Sequence, residues 1–223
     1  PNAVLQSGEY HKLSKTPKGA RMPATFANTT PEGHRWQRTP RFADKHLEAA
    51  FCGTEPLILD GGMGTQLQER GLAAGETPEL LCLTNPNQIT SVHAAYVRAG
   101  SEVVTTNTFG ANRTKLSAAP VASLPGASAR YAAAAPTVDE VFEAAIACAR
   151  AARPRYVAAD IGPTGALLEP LGTLSFAEAY DLFAEQAQAA EKYGADLVII
   201  ETMADLAEAK AALLAVRELT QLP

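Results

Sequence analysis

The sequence predicts an α/β fold whose core is a parallel sheet, organised as about the first four β/α units of a (β/α)8 TIM barrel. Four short apolar stretches recur at intervals of about 40 to 50 residues, and each is followed by polar residues and then by a helical pattern. Four such units leave an open parallel edge, which a barrel would close with four more units. The predicted strands are residues 57–59, 102–109, 155–160 and 196–201.

The first long helical pattern lies between the first two strands. We expect a helix over residues 87–99, with Asn87 as its N-cap and Gly100 as the glycine that ends it. One side of this helix is apolar, and we interpret His93 on that side as a packed residue rather than a ligand. The apolar side consists of Ile89, Val92, His93, Tyr96 and Val97.

Two later helices begin with capping boxes, in which a hydroxyl group and a carboxylate satisfy N–H groups at the helix start. Thr137 with Glu140 begins one helix, which we expect to end near residue 152, and Ser175 with Glu178 begins another, ending near residue 192. Asp205 is the predicted N-cap of the last helix. The predicted apolar side of that helix consists of Leu206, Ala209, Leu213 and Val216.

Residues 1–50 differ in composition from residues 51–223. They hold eight Lys and Arg against four Asp and Glu, although the whole chain has a net charge of -5. With few aliphatic residues to bury, they predict a flexible basic extension, ending in a short helix around residues 44–51. Residues 117–136 predict a long loop. Because the chain begins with Pro1, we expect that it was processed or cut from a longer one.

The bulk properties favour a small-molecule partner. A net charge of -5 and an isoelectric point near 5.4 argue against a nucleic-acid binder. No apolar run approaches the roughly 18 residues that a membrane span needs, and no signal peptide is visible, so we expect a cytoplasmic protein. The three cysteines, Cys52, Cys82 and Cys148, show neither a disulfide framework nor a local zinc motif.

Residues 57–65 are the most informative stretch. Three aliphatic residues predict the end of a buried strand, and Asp60 follows at its tip. Gly61, Gly62 and Gly64 remove Cβ atoms from the next turn, so the backbone can take positive φ and its N–H groups can approach a ligand. The alternative is that these glycines only form a tight turn between strand and helix.

Polar side chains end all four predicted strands, and in a parallel barrel these ends meet at one mouth. They are Asp60, Asn107 with Thr108, Asp160, and Glu201 with Thr202. Asp60 and Glu201 could hold an ammonium group, while turn N–H groups and Asn or Thr side chains could bind a carboxylate. An amino acid fits this chemistry. The alternative is that the three acids are caps of the helices that follow.

Several motifs together resemble the homocysteine S-methyltransferase domain shared by cobalamin-dependent methionine synthase and betaine-homocysteine methyltransferase. The resemblance covers about residues 56–219, and Asn-Thr-Phe-Gly and Asp-Ile-Gly-Pro-Thr-Gly are most similar to the methionine synthase branch. The motifs are Ile-Leu-Asp60-Gly-Gly-Met-Gly-Thr65, Pro78-Glu-Leu-Leu with Asn85-Pro-x-x-Ile89, Ala99-Gly-Ser-Glu-Val-Val-Thr-Thr-Asn-Thr-Phe-Gly-Ala-Asn112, Asp160-Ile-Gly-Pro-Thr-Gly165 with Pro170-Leu-Gly172, and Gly194-Ala-Asp-Leu-Val-Ile-Ile-Glu-Thr202.

This resemblance implies a TIM barrel that transfers a methyl group to the thiol of homocysteine, giving methionine. It implies that Asp60 and Glu201 bind the amino group of homocysteine, and that Gly61, Gly62, Asn107 and Thr108 are neighbouring substrate contacts. Asp160 and Gly162 belong to the matching third-strand motif without an assigned role. No catalytic residue is identified in this portion.

The resemblance also implies a zinc ion that holds the homocysteine thiol as a thiolate. The three zinc-binding cysteines of the family lie beyond Pro223, and Cys52, Cys82 and Cys148 do not occupy matching positions. We therefore expect zinc in the full-length protein but not in this chain, which we expect to be inactive and poorly folded alone. Cobalamin and methyltetrahydrofolate are possible through other modules, since a methyl donor or a methyl-carrying module must act as partner.

Three alternative functions remain. Another TIM-barrel enzyme of the aldolase or phosphate-binding type would need a lysine at a strand end or phosphate sites after the last strands. A non-catalytic binding or regulatory protein would keep only half of the substrate rim. A dinucleotide-binding fold is disfavoured, because the turn after Asp60 lacks the Gly-x-Gly-x-x-Gly spacing.

Overall fold

The computed structural model describes residues 38–73, 75–119 and 134–223. Most of the predicted basic extension and most of the predicted loop at 117–136 lie outside these residues. The elements, in chain order, are α1 (Lys45–Phe51), α2 (Met63–Gln68), a 3₁₀ turn (Pro78–Leu80), α3 (Leu81–Thr84), α4 (Pro86–Ala99), β1 (Val103–Thr105), α5 (Arg113–Ala118), α6 (Val138–Ala151), β2 (Tyr156–Ile161), α7 (Phe176–Lys192), β3 (Leu197–Ile200) and α8 (Leu206–Leu219).

The sheet is parallel, as predicted, and its strands follow the order β1, β2, β3. Val103 pairs with Tyr156, and Ala158 pairs with Leu197. The predicted first strand forms only one parallel bridge, between Leu59 and Val103. The described residues therefore form an α/β fold with three strands and a bridged edge segment, rather than the four full strands that we predicted.

The central strand β2 is buried along its whole length, and its alternating side chains enter two different layers. Val157, Ala159 and Ile161 pack against the helices, with side chains such as Phe142 and Phe183. Tyr156 and Ala158 point to the opposite face. Asp160 continues this second series, so strand alternation turns its carboxyl group away from the helices.

Helix α1 covers the amino-terminal ends of the strands. Leu47 is fully buried in a cluster with Val103, Tyr156, Ala158 and Leu197, of which three are first residues of their strands. Asp44 caps the helix and also accepts a 2.6 Å hydrogen bond from the Tyr156 hydroxyl group. The predicted boundary between residues 50 and 51 falls inside α1, so the packed chain begins before it.

The N-cap of helix α4 lies two residues before the predicted one. Asn85, not Asn87, is the N-cap, and Pro86 occupies the first helical position, where its fixed φ and missing N–H are tolerated. Gly100 ends the helix with a φ of 108°, as predicted. His93 is fully buried among core residues, and burial lowers its pKa to about 4, so it is a neutral packed residue.

Both predicted capping boxes are present. The Thr137 and Ser175 hydroxyl groups each accept a 3.2 Å hydrogen bond from the N–H of Glu140 and Glu178 respectively. Each glutamate returns the bond by accepting from the N–H of its cap residue at 2.9 Å. Asp205 caps α8 through the N–H of Ala207, also as predicted.

The predicted apolar side of α8 is confirmed at Val216 but wrong at its two leucines. Leu206 is 86% exposed and Leu213 is 48% exposed, although both were expected to be buried. The buried side instead includes small residues that allow α8 to approach α7 closely, where a leucine would hold the helices apart. The small residues are Ala211, Ala212 and Ala215, and Glu208 and Val216 are buried on the same side.

We predict that Leu47→Ala destabilises the chain because it empties a buried position beneath all three strands. The expected loss is about 2–5 kcal/mol in the free energy of unfolding. Urea denaturation followed by circular dichroism measures it. Leu206→Ala is the matched control and should change the same quantity by about 0.5 kcal/mol or less. Equal effects of the two changes would show that α1 is not part of the folded unit.

Candidate functional site

The carboxyl ends of the strands open into a cavity of about 460 Å³. Five of the six predicted site residues line it, namely Asp60, Gly61, Gly62, Asn107 and Glu201. Glu79 and Asp160 line it as well, although neither was among the predicted substrate contacts. The cavity is thus bordered by four acids, which come from the bridged edge segment, the 3₁₀ turn, β2 and the residue after β3.

Thr108 is the predicted site residue that lies behind the cavity rather than on its wall. It is fully buried, and its hydroxyl group donates a 2.7 Å hydrogen bond to the backbone oxygen of Asp160. The same hydroxyl group lies 2.6 Å from that of Thr106. Thr108 therefore connects the segment after β1 to β2, and its effect on the cavity is indirect.

Asp60 is fixed by Thr105 at the end of β1. The Thr105 N–H donates to Oδ2 and its hydroxyl group donates to Oδ1, both at 2.9 Å. Burial raises the pKa of Asp60 to about 6, with the Thr105 hydrogen bonds opposing the rise and the charge of Glu201 adding to it. Because these bonds hold the carboxylate against β1, Asp60 is not the cap of α2, whose N-cap is Gly62.

Glu201 reaches the cavity from the end of β3. Its backbone N–H donates to Ile161 at 3.1 Å, and its side chain is exposed. Thr202 follows with a φ of 59°, a left-handed conformation that a β-branched residue rarely adopts. The chain thus turns sharply after Glu201. Because Asp205 caps α8, the interpretation of Glu201 as a helix cap is also excluded.

The glycine turn is shaped by close packing rather than by positive φ. Among Gly61, Gly62 and Gly64 none has a positive φ, so that part of the prediction was wrong. A Cβ atom on Gly61 would lie 3.1 Å from the Tyr96 ring, and the Tyr96 hydroxyl group donates a 3.0 Å hydrogen bond to the Gly62 oxygen. Tyr96 therefore sets the path of the turn along the cavity.

Asn107 orients toward the 3₁₀ turn. Its side-chain amide donates to the Pro78 oxygen at 2.7 Å and lies 3.6 Å from the Cys82 sulfur. Since Asn107 is only 5% exposed, this bond positions it firmly at the cavity wall.

Sequence reasoning did not assign Glu79 to the site, and it expected Asp160 at the mouth without giving it a role. Glu79 is 4% exposed, and its carboxylate accepts a 2.5 Å hydrogen bond from the Gly110 N–H. Burial raises its pKa, and the charge of Lys115 opposes that rise. An acid directly after a proline resembles an ordinary first-turn residue, so its only signal was membership of the Pro78-Glu-Leu-Leu motif.

Asp160 has a strongly raised pKa in the cavity. Burial is the largest cause that raises its pKa to about 8, and the charges of Glu201, Glu79 and Asp60 contribute to the same rise in that order. Within residues 38–73, 75–119 and 134–223, no Lys, Arg or His lines the cavity wall. An acidic cavity without its own cation favours a ligand that carries positive charge.

The described residues do not form a zinc site. No three His, Cys, Asp or Glu side chains in residues 38–73, 75–119 and 134–223 are placed to share an ion. Cys52 is exposed at the end of α1, while Cys82 and Cys148 are buried, and none of the three lines the cavity. Within the same residues, no helix has the length and hydrophobicity required to span a bilayer.

We predict that the contribution of Asp160 to the free energy of unfolding falls as the pH rises from about 4 to about 8. Asp160 binds its proton more tightly in the folded chain than in the unfolded chain, so the folded state loses relative stability until the pH passes the folded pKa of about 8. The slope for one proton is at most about 1.4 kcal/mol per pH unit. Asp60 adds to it below about pH 6.

Urea titrations of the wild type and of Asp160→Asn across this range measure the effect. The asparagine variant should show a flatter profile above pH 6, because its side chain has no proton to lose. Profiles of equal slope would contradict the assigned environment of Asp160.

Sequence comparison matches residues 57–223 to the profile of the homocysteine S-methyltransferase family. The chain is 34% identical over 193 residues to methionine synthase of Mycobacterium tuberculosis, and 34% identical over 168 residues to methionine synthase of Mycobacterium leprae. These matches cover 78% and 72% of this chain but only 15% and 13% of the relatives. The chain therefore spans a small part of their length.

Solved structures with a similar fold include the homocysteine methyltransferase MmuM from Escherichia coli. Its metallated form aligns with a TM-score of 0.58 at 23% identity, covering 75% of this chain and 60% of that one. Its oxidized form aligns with a TM-score of 0.60, covering 78% and 61%. At this identity the likeness supports the fold alone. Since the family profile matches most of the sequence, the chain belongs to the homocysteine S-methyltransferase family.

Proposed function

We propose that the chain is the homocysteine-binding portion of an enzyme that transfers a methyl group to homocysteine and forms methionine, as in methionine synthase. The observation that carries this proposal is the cavity at the carboxyl ends of the strands, which is acidic, lacks its own cation and contains Asp60 and Glu201. Family membership and the methionine synthase relatives support the same substrate. We further propose that the sheet is the first half of a (β/α)8 barrel, preceded by a basic extension, in a cytoplasmic protein.

In this proposal Asp60 and Glu201 bind the substrate amino group. Thr105 already holds Asp60 through two hydrogen bonds, so this carboxylate loses little freedom when a ligand binds. Glu201 is exposed and can move toward the ligand from the opposite side of the cavity. An ammonium group between two carboxylates forms charge-assisted hydrogen bonds, which are about twice as strong as neutral ones.

The substrate carboxylate would lie at the glycine turn. The N–H groups of Gly61 and Gly62 have no acceptor among the described residues, and Tyr96 keeps this turn at the cavity wall. We propose that these two groups donate to the carboxylate, with Asn107 beside them and Thr108 supporting the wall from behind.

The described residues supply binding and orientation, but no group that would activate the thiol. We propose that the zinc ion, the methyl donor and any cobalamin or methyltetrahydrofolate belong to other parts of a longer protein. Of the alternatives, an aldolase-type enzyme is disfavoured because no lysine in the described part of the chain lines the cavity. A non-catalytic homocysteine-binding protein would use the same contacts, and only an activity assay on the longer protein separates the two.

We predict that Asp60→Asn and Glu201→Gln each weaken L-homocysteine binding by about tenfold or more, because each removes a charged partner of the ammonium group. Isothermal titration calorimetry on the chain measures this. Glu185→Gln, an exposed acid paired with Arg113 outside the cavity, is the matched control and should bind normally. Normal binding by both cavity variants, or equal binding of 4-mercaptobutanoate, which lacks the amino group, would refute the assignment.

We also predict that the 223-residue chain alone neither retains equimolar zinc nor forms methionine, since its described residues assemble no set of metal ligands. Metal analysis after dialysis and a methionine assay with added methyl donors test this. Tight equimolar zinc together with turnover would overturn it.

A further inference from the structure

Asp160 is both buried and without a side-chain hydrogen bond among the described residues, whereas Glu201, the other unbonded acid of the cavity, is exposed. Asp160 is 8% exposed, and its Oδ1 atom is buried without a hydrogen bond among the described residues. Asp60 is bonded to Thr105 and Glu79 to Gly110, so each of those carboxylates is at least partly satisfied. A buried carboxyl group without a partner is costly and calls for an explanation.

The backbone of Asp160, by contrast, is firmly held. Its N–H donates to the Thr106 hydroxyl group at 3.2 Å, and its oxygen accepts from the Thr108 hydroxyl group at 2.7 Å. Strand alternation on β2 directs the side chain into the cavity, of which Asp160 forms part of the wall. A rigid backbone with an unsatisfied side chain aimed at a cavity is the arrangement expected of a ligand contact.

The charges that face Asp160 are all negative. Asp60 faces it from the edge segment, Glu79 from the 3₁₀ turn and Glu201 from the end of β3, and each raises its pKa. Among the residues that the structure describes, no cationic side chain lines the same cavity. In the empty cavity the proton on Asp160 is therefore retained near neutral pH, because an additional buried anion would face three like charges.

We propose that Asp160 is a third carboxyl group that contacts the ammonium group of the substrate, and that it releases its proton to solvent when that group enters the cavity. This inference rests on the proposed function. Before binding, the Asp160 carboxyl group is neutral and the ammonium group is charged. After binding, the Asp160 carboxylate accepts a hydrogen bond from the same ammonium group, and one proton has passed to solvent. An ammonium group has three N–H donors, which match Asp60, Asp160 and Glu201.

The consequence is a pH-dependent affinity. Because the bound state needs the Asp160 carboxylate and the empty state holds the proton, binding tightens as the pH rises toward about 8. The gain is at most tenfold per pH unit for one released proton. Asp60 contributes a similar effect only below about pH 6, so the interval from pH 6.5 to 8 reports on Asp160.

The test uses L-methionine as the probe, because its thioether has no proton to lose in this range. Calorimetric titration of the full chain at pH 7 in two buffers of different protonation enthalpy counts the protons released. We expect close to one proton for the wild type and none for Asp160→Asn. At pH 8.5 the variant should bind at least about tenfold more weakly, with a smaller difference at pH 6.5. The des-amino compound 4-(methylsulfanyl)butanoate should release no proton.

The outcomes separate this inference from the proposed function. Binding of L-methionine that depends on Asp60 and Glu201 but releases no proton from the wild type would overturn the inference alone. This result needs no variant, so it does not depend on how Asp160→Asn folds. Absence of any binding of L-methionine and L-homocysteine would overturn the inference and the proposed function together.

Discussion

The parallel register between β2 and its two neighbours brings Asp160, Glu201 and the Thr105 that holds Asp60 to one edge of the sheet. Pairing of Val103 with Tyr156 and of Ala158 with Leu197 brings the carboxyl ends of the strands to one edge. Thr105, which holds Asp60, and Asp160 are near these ends, and Glu201 donates its N–H to the last residue of β2. A shift of one residue on β2 would turn the Asp160 side chain away from the cavity and toward the helix layer.

The cluster of acids destabilises the folded chain but favours the binding of a cationic ligand. Four acids in one partly buried cavity repel one another, and burial raises the pKa of Asp60, Glu79 and Asp160 in the empty site. Ordinary core packing would avoid such a cluster. A cationic ligand relieves the repulsion between the carboxylates. This relief adds to the favourable free energy of binding. The strained backbone at Thr202, directly after Glu201, lies at the same edge.

The sequence predicted those features that depend on local chemistry. Short-range patterns predicted the capping boxes at Thr137 and Ser175, the glycine after α4 and the order of the parallel strands. The structure confirms these features. The convergence of Asp60 and Glu201 followed from the rule that strand ends meet in a parallel sheet.

Features that depend on packing partners were not predictable in the same way. Two faces of α8 carry apolar residues, so the sequence alone does not show which face is buried. The close approach of α7 buries the face with the alanines and leaves Leu206 and Leu213 exposed. Thr108 could equally have faced the cavity, because nothing in the chain before folding reveals its bond to the Asp160 backbone. The sequence placed Asp160 at the end of a strand. Its lack of a hydrogen-bond partner depends on the tertiary packing, which the sequence does not reveal.

Helix α1 has a practical consequence for expression of this domain. A truncated version that started at residue 51 would follow the composition of the sequence, but it would delete Asp44 and Leu47. The Tyr156 hydroxyl group would lose its acceptor, and the underside of the sheet would meet water. Tyr156 and Asp160 lie on the same six-residue strand, so a loss of packing at Tyr156 would also disturb the position of Asp160. Crystallisation trials should therefore retain the chain from about residue 38 onward, even though its charge and composition suggest a dispensable tail.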